Sequence, residues 1–249
     1  PAGTSSSSDE NSSFTSSLSA ELLPAVRSGI DILTNMISSF PAYLSAYVEL
    51  GRSYLSLGQH ENGLTILNNY LSNHGNENDL PPECSTILLF KAKIEVSRGA
   101  GAKNSASMAE KLLEQSLSND FSIRSQPLYK LIQVMVYAQL PHKYQEALQN
   151  VEQLIDAYPQ DFKQSANTDN NGDPSSSSAG DINNPMRITD DDKVLVYILY
   201  ASLLSKMKRL KEANRVLAEA KILFAGTDNP YQEVQILIAS AQLAIERND

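Results

Sequence analysis

The chain has 249 residues, with 29 acidic and 20 basic side chains, a net charge of −9 and a sequence pI near 4.9. This negative charge disfavours nucleic acid and anionic membrane as main ligands. It is compatible with a partner that has a basic surface, and equally with a charge that only keeps the protein soluble. The single cysteine, Cys84, excludes an internal disulfide and favours the reducing cytoplasm.

The chain begins with a segment, residues 1–21, that we expect to be a flexible tail. Residues 1–20 contain nine serines and only two large apolar residues, Phe14 and Leu18. A segment of this composition cannot bury enough surface to offset the entropy lost on ordering. The chain starts with Pro1 rather than Met, so we expect it to be a piece of a longer protein.

The most informative motif follows Pro41. Two patterns occur in sequence, Tyr47-x-x-Leu50-Gly51-x-x-Tyr54 and Gly63-x-x-x-Leu67. Together they form the tetratricopeptide signature, in which helix A carries large-x-x-Leu-Gly-x-x-Tyr and helix B carries small-x-x-x-large. Small residues at Gly51 and Gly63 let two antiparallel helices approach closely, and the large residues fill the space around that contact.

The same pattern recurs along the chain. On helix B the small and large residues are Gly29/Leu33, Gly63/Leu67, Ala109/Leu113, Ala147/Val151 and Ala213/Leu217. On helix A the close-packing residues are Gly51, Ala92, Met135, Ala201 and Ala241, and the large residues four positions before them are Tyr47, Leu88, Leu131, Tyr197 and Leu237. The sequence therefore predicts an all-α superhelix of tetratricopeptide-type repeats, an α-solenoid, at residues 22–163 and 190–249. We expect the last repeat to be incomplete at its C-terminal end.

A polar segment, residues 164–189, separates the two repeat regions, and we expect it to be a disordered linker. Its Asn167-x-Asp169-x-Asn171-Gly172 run opens like a calcium loop. However, Ser178 stands where such a loop requires a bidentate Glu, so no metal site is predicted. Thr189 precedes three aspartates and is predicted to cap the next helix.

No residue pattern indicates catalysis. His60, His74 and His142 fall in predicted turns with no second ligand at metal spacing, and Cys84 has no His or Asp partner nearby in sequence. We therefore expect no enzyme, no cofactor and no small-molecule substrate. No apolar run reaches the ~18 residues that cross a bilayer and no signal peptide is visible, so we expect no membrane insertion.

The candidate binding surface is a stripe on the A helices, one residue after each large anchor. Its members are all aliphatic: Val48, Leu89, Ile132, Ile198 and Ile238. One interpretation is that they are half-buried between neighbouring A helices. The other is an apolar concave groove that takes a helix from a partner or from the rest of the same protein, flanked by Arg52 and Lys93 as a local positive site.

Several stretches resemble one known family. Residues 118–132 contain Asp120-Phe121-Ser122-Ile123-Arg124 and Pro127-Leu128-Tyr129, and they resemble the Asp-Phe-x-Val-Arg-x-x-Pro-Leu-Tyr run of the tetratricopeptide repeat 21 family. Gly29 to Pro41 is similar to the helix before that run, and Leu210 to Thr227 to the segment after it. The resemblance covers roughly residues 24–249 and supports the repeat fold.

The family resemblance implies a structural role. Each member of this family is a scaffold subunit of intraflagellar transport complex A that consists of repeats throughout. That complex acts in retrograde ciliary transport and ciliary protein trafficking. The implied partners are other subunits of that complex. The implied location is the cytoplasm, the cilium and its basal body.

Two other functions remain open. A peptide-binding adaptor of the co-chaperone kind binds a terminal carboxylate with Lys and Asn on adjacent A helices, in a Lys-x-x-x-Asn arrangement. Val48 and Arg52 occupy those places here, which ranks the adaptor second. The chain is also compatible with a regulatory domain of a larger protein.

Overall fold

The structure, a computed structural model, describes residues 10–75, 80–99, 104–157, 184–225 and 230–248, with side chains between residues 24 and 246. Ten α-helices and no strand occupy these described residues. The helices are α1 (Glu10–Ser39), α2 (Leu44–Ser56), α3 (His60–His74), α4 (Cys84–Ser97), α5 (Ser105–Asn119), α6 (Pro127–Tyr137), α7 (Tyr144–Ala157), α8 (Asp190–Lys206), α9 (Leu210–Leu223) and α10 (Pro230–Asn248). Short 3-10 helices, Phe121–Ser125 and Pro141–Lys143, precede α6 and α7. None of the described helices is long and apolar enough to cross a membrane.

The chain divides into two compact units, residues 1–74 and residues 75–249. In the first unit α2 packs against α1 and α3. A Cβ atom added to Gly51 would lie 3.5 Å from Leu67 Cδ2, which is an ordinary van der Waals contact. A side chain larger than alanine would therefore overlap with Leu67. Tyr47 meets Tyr70 edge to face, with 4.8 Å between the ring centroids. The predicted close approach of helices at Gly51 is therefore confirmed.

The second unit stacks three helical hairpins and a final helix. α4 pairs with α5, α6 with α7, and α8 with α9. The first helices of the hairpins also contact each other in order, from α4 through α6 and α8 to α10. α5, α7 and α9 each contact the first helix of the next hairpin. The result is two layers, α4, α6, α8 and α10 in one and α5, α7 and α9 in the other, as the predicted repeat pattern requires.

Burial follows the repeat pattern closely in the second unit. The small residues Ala109, Ala147 and Ala213 on the second helices have no exposed surface. Ala92 and Ala201, on the first helices, are buried as well. Small residues at these places let the two helices of a hairpin approach, which is why the pattern predicted the architecture.

Gly29 in the first unit does not follow the pattern. It was predicted to be a close-packing residue, but no atom lies within 4 Å of a Cβ added there, and the residue is only half-buried. The pattern at this position therefore does not mark a close helix contact, because α1 leaves this part of its surface open.

Side chains connect the C-terminal ends of successive first helices in the second unit. Gln139 Nε2, after α6, donates to the carbonyl of Val96 in α4 at 2.8 Å. Lys206 Nζ, at the end of α8, donates to the Ala138 carbonyl at 2.9 Å. The Val96 carbonyl also accepts from the backbone N–H of Gly99, so the first bond gives it a second donor, while the second bond reaches a carbonyl just after the end of α6.

A third contact of this kind joins α8 to α10. The Ser205 hydroxyl near the end of α8 donates to the Glu246 carboxylate near the end of α10. One such bond therefore spans each step from a first helix to the next, and together the three bonds fix the spacing of the hairpins.

The predicted tail and linker fall partly outside the described residues. α1 begins at Glu10, within the segment 1–21, and residues 1–9 are not described. Residues 158–183 are not described either, and they hold most of the predicted linker 164–189. The flexibility of both segments, and the domain boundaries drawn from it, stay predictions.

The predicted start of α8 is confirmed. The Thr189 hydroxyl accepts a hydrogen bond from the backbone N–H of Asp192, and the Asp192 carboxylate accepts one from the backbone N–H of Thr189. This reciprocal pair is a capping box, and the acidic first turn suits the positive end of the helix dipole.

Candidate protein-binding surfaces

Three members of the predicted stripe have no exposed surface. Val48, Leu89 and Ile132 are all completely buried within the protein. α6 contacts α4 and α5 on one side and α7 and α8 on the other, so the middle of this helix has almost no surface left. These three side chains therefore belong to the core, which is the first of the two interpretations that the sequence left open. They offer no groove to a partner in this structure.

The other two members of the stripe lie closer to the surface. Ile198 on α8 is half-buried, and Ile238 on α10 is 53% exposed. Exposure thus increases along the second unit, because fewer helices cover α10 than cover α6. A contact between any of these five residues and a partner stays a prediction.

Arg52 and Lys93 lie within the packing, against the expectation that they flank an accessible groove. The side chain of Arg52 is 11% exposed, and its Nε lies 3.5 Å from Glu49 Oε1. Lys93 is buried, and its Nζ lies 2.6 Å from Asp192 Oδ1. Both cations face carboxylates because a charge that leaves water needs a compensating partner.

Asp192 is ionised by its surroundings although it is buried. Burial alone would raise the pKa of its carboxyl. The charge of Lys93 and the hydrogen bonds from Lys93 and Thr189 outweigh burial and hold that pKa below its ordinary value. The contact is a structural link between α4 and α8, which leaves no free positive site at Lys93.

α10 carries the clearest exposed apolar surface of the second unit. Its buried side includes Gln232, Ile236 and Leu243, and Gln232 Nε2 donates to Asp191 Oδ1 at 3.1 Å. The opposite side exposes Tyr231, Val234, Leu237, Ile238 and Ile245, each by 44% to 65%. We call these five residues the open face of α10. Ile238 belongs to the predicted stripe, whereas Tyr231 and Val234 do not, although the three- and four-residue spacing along the helix places them on the same face.

The open face occupies the position at which earlier hairpins are covered. Tyr197 and Ala201 on α8 are buried, and α9 packs against that helix. Their counterparts in the repeat frame, Leu237 and Ala241 on α10, are exposed. The face therefore has the side chains of a helix-binding surface without a covering helix among the described residues.

The cysteine and histidine side chains are not arranged as a catalytic or metal-binding site among the described residues. Burial, and secondarily the charge of Glu83, raise the pKa of Cys84, which disfavours the reactive thiolate. The ring of His74 stacks on Tyr70, with 4.2 Å between centroids. Over the part of the chain that the structure describes, no three His, Cys, Asp or Glu side chains form a group able to hold a metal ion.

The paired helices, their two layers and their buried small residues define a helical-repeat protein of tetratricopeptide type. The fold agrees with that of a thermophilic TPR protein from Thermus thermophilus, with a TM-score of 0.55 and 15% sequence identity over 90% of this chain and 95% of the other. At this identity the likeness concerns the fold alone.

The sequence comparison gives the family. The family described as Tetratricopeptide repeat protein 21 ARM repeat matches residues 121–249, just over half of the chain. The chain therefore belongs to the tetratricopeptide repeat protein 21 family. It is also 25% identical over 228 residues to Tetratricopeptide repeat protein 21B of Xenopus laevis, a match that covers 92% of this chain and 15% of that relative's length.

Proposed function

We propose that the chain is a non-catalytic scaffold segment of an intraflagellar transport complex A subunit, acting in retrograde ciliary transport and ciliary protein trafficking. Membership of the tetratricopeptide repeat protein 21 family supports this role. The chain spans 15% of the length of its curated relative, so the partners and ciliary location of the whole protein enter here as proposals.

The observation that carries the proposal is the open face of α10. Leu237 and Ile238 are each about half exposed, although Tyr197, Leu131 and Leu88, the counterparts of Leu237 on earlier helices, are buried. Complete burial of a fully exposed side chain of this size stabilises by about 1.5–3 kcal/mol, so covering these two half-exposed residues is worth about 1.5–3 kcal/mol in total. The face thus favours the binding of a helix that packs on α10 as α9 packs on α8.

The occupant that we propose is an amphipathic helix from a helical-repeat subunit of the same complex. Such a helix would place a small residue against Ala241 and aliphatic residues against Leu237 and Ile238, which reproduces the pairing within each hairpin. The interaction needs no reacting group, in keeping with a scaffold.

The test is affinity capture of the tagged protein from ciliated cells, followed by mass spectrometry. We expect the unaltered protein to recover subunits of transport complex A. The double variant Leu237→Asp/Ile238→Asp should lose them, because two charges cannot be buried in an apolar contact without a partner. Circular dichroism of both proteins should show the same helix content.

Ile222→Asp is the matched control, since Ile222 is 74% exposed on α9 and lies outside the open face. It should capture the same subunits as the unaltered protein. Equal capture by the double variant overturns docking on the open face, as expected if a helix of the same polypeptide covers it. Recovery of chaperones without transport subunits overturns the ciliary role.

The adaptor function receives no support from a specific contact. Val48 stands at the position of the carboxylate-binding Lys, and it is fully buried. A buried valine neither reaches a terminal carboxylate nor donates a hydrogen bond to it.

A further inference from the structure

The turn between α8 and α9 carries a cluster of positive charge in an otherwise acidic chain. Residues 206–215 contain five cations and one carboxylate, Glu212, whereas the whole chain has a net charge of −9. The five cations, which we call the basic turn, are Lys206, Lys208, Arg209, Lys211 and Arg215. All are exposed except Arg209, which is half-buried.

Two cations of the basic turn, Lys206 and Arg209, have contacts within the protein that account for a basic residue at those positions. Lys206 Nζ donates to the Ala138 carbonyl and lies 5.0 Å from the centre of the Tyr144 ring. Arg209 binds Glu212 with two hydrogen bonds, of 2.8 and 2.6 Å. These two residues hold the turn in place.

The other cations are directed to solvent. The ammonium groups of Lys208 and Lys211 form no hydrogen bond or ion pair with any residue that the structure describes, and both side chains are exposed. Arg215 lies one helical turn after Lys211, so the two share a face of α9, and Lys208 lies in the turn just before that face. Three exposed cations therefore lie within eight residues of one another, in the turn and the first half of α9.

Lys208 adopts a backbone conformation that favours glycine. Its φ angle is 64°, and its N–H and that of Arg209 donate to the carbonyls of Ser205 and Leu204. Gly58, with a φ of 68°, occupies the corresponding place after α2 and makes the same pair of bonds through itself and Gln59. A lysine in this left-handed conformation is less stable than glycine.

The position of Lys211 in its helix is also unfavourable for a lysine, but for an electrostatic reason. It is the second residue of α9, and a cation in the first turn of a helix is repelled by the positive end of the helix dipole. Neither the backbone of the turn nor the helix dipole favours a lysine at these two positions. Departures from local preference of this kind are expected at functional or strained sites.

We propose that the basic turn binds an acidic segment of a partner protein, with Lys208, Lys211 and Arg215 contacting its carboxylates. A short extended segment reaches these cations without approaching the acidic remainder of the chain. A duplex nucleic acid or an anionic membrane would bring many more negative charges against that acidic surface, so both are disfavoured.

The test is fluorescence polarisation with a fluorescein-labelled peptide of ten glutamates and the whole chain. We expect Lys208→Glu/Lys211→Glu to weaken binding at least tenfold. The control Lys111→Glu/Lys221→Glu changes the net charge equally at exposed lysines on α5 and at the far end of α9, and should alter binding less than twofold. Equal losses in the two variants, or no binding by the unaltered chain, would overturn the proposal.

Two further measurements separate the proposal from its rivals. Lys208→Gly removes one charge and the unfavourable φ angle together, so we expect affinity to fall about threefold while Tm rises by about 2 °C. A higher Tm with unchanged affinity would exclude Lys208 from the site. Vesicles of phosphatidylserine and a 20-base-pair DNA duplex should not bind detectably, and preferential binding of either would overturn the choice of an acidic protein segment.

Discussion

Lys93 and Asp192 form a buried ion pair that joins α4 to the first turn of α8, with 2.6 Å between Lys93 Nζ and Asp192 Oδ1. The residues are 99 positions apart in sequence. α6 lies between α4 and α8 in the layer of first helices, so the pair reaches across one hairpin.

Removal of Lys93 should destabilise the second unit strongly. Lys93→Met leaves the Asp192 carboxylate buried without its cation, and we expect a loss of about 3–5 kcal/mol in the free energy of unfolding. Urea denaturation at pH 7, followed by far-UV circular dichroism, measures it. In Lys93→Met/Asp192→Asn no buried charge remains, so the double variant should regain at least half of that loss. A loss below about 1 kcal/mol in the single variant would contradict a buried pair.

The same pair predicts how stability depends on pH. The pKa of Asp192 is lower in the folded protein than its ordinary value of about 3.9. The unfolded chain therefore takes up a proton first as pH falls, and the stability present above about pH 4 is lost as pH falls through the folded pKa. We expect the slope of unfolding free energy against pH to be smaller in Lys93→Met/Asp192→Asn below pH 4. Identical slopes would show that Asp192 is not linked to folding.

The sequence predicts the hairpins well because small residues mark local contacts. Ala201 is predicted and found at a close contact, since its partner helix follows a few residues later. Exposure is harder to predict, since the frame assigns Ala201 and Ala241 the same role, yet only Ala201 is covered. Periodicity gives the direction of a side chain along its helix, but not whether another helix lies there.

The ion pair between Lys93 and Asp192 could not be predicted from the sequence for a related reason. The sequence predicts Lys93 on an open surface, and it indicates Asp192 only as part of an acidic first turn. Nothing in the spacing of two residues on different helices indicates that α4 and α8 come within reach of one lysine side chain. Long-range pairs of this kind depend on the stacking of whole hairpins.

Gly51 offers a test of helix spacing in the first unit. A Cβ added there would lie 3.5 Å from Leu67 Cδ2, so alanine fits. Gly51→Ala should stabilise the protein by about 0.5–1 kcal/mol, because alanine loses less backbone entropy in a helix. Gly51→Leu should destabilise it by about 1–3 kcal/mol through overpacking against Leu67. Thermal and urea denaturation measure both, and equal stability of the two variants would contradict the close contact between α2 and α3.

Alanine substitutions along the aliphatic stripe should lower the free energy of unfolding strongly at its buried members and little at its exposed ones. Ile132 is fully buried in α6 and Ile238 is 53% exposed on α10. Ile132→Ala creates a cavity and should lower the free energy of unfolding by about 2–5 kcal/mol. Ile238→Ala removes the same atoms from a side chain that is already half in water, so the change should stay within about 0.5 kcal/mol.

The difference between these two variants separates packing from binding. Urea denaturation of the purified chain gives both values under one condition, and Leu89→Ala, buried on α4, should behave like Ile132→Ala. A small effect at Ile132 together with a large one at Ile238 would contradict the assignment of α6 to the core. If Ile238→Ala keeps full stability and still weakens capture of a transport subunit, the energy lost belongs to the partner contact, because the folded chain alone does not depend on that side chain.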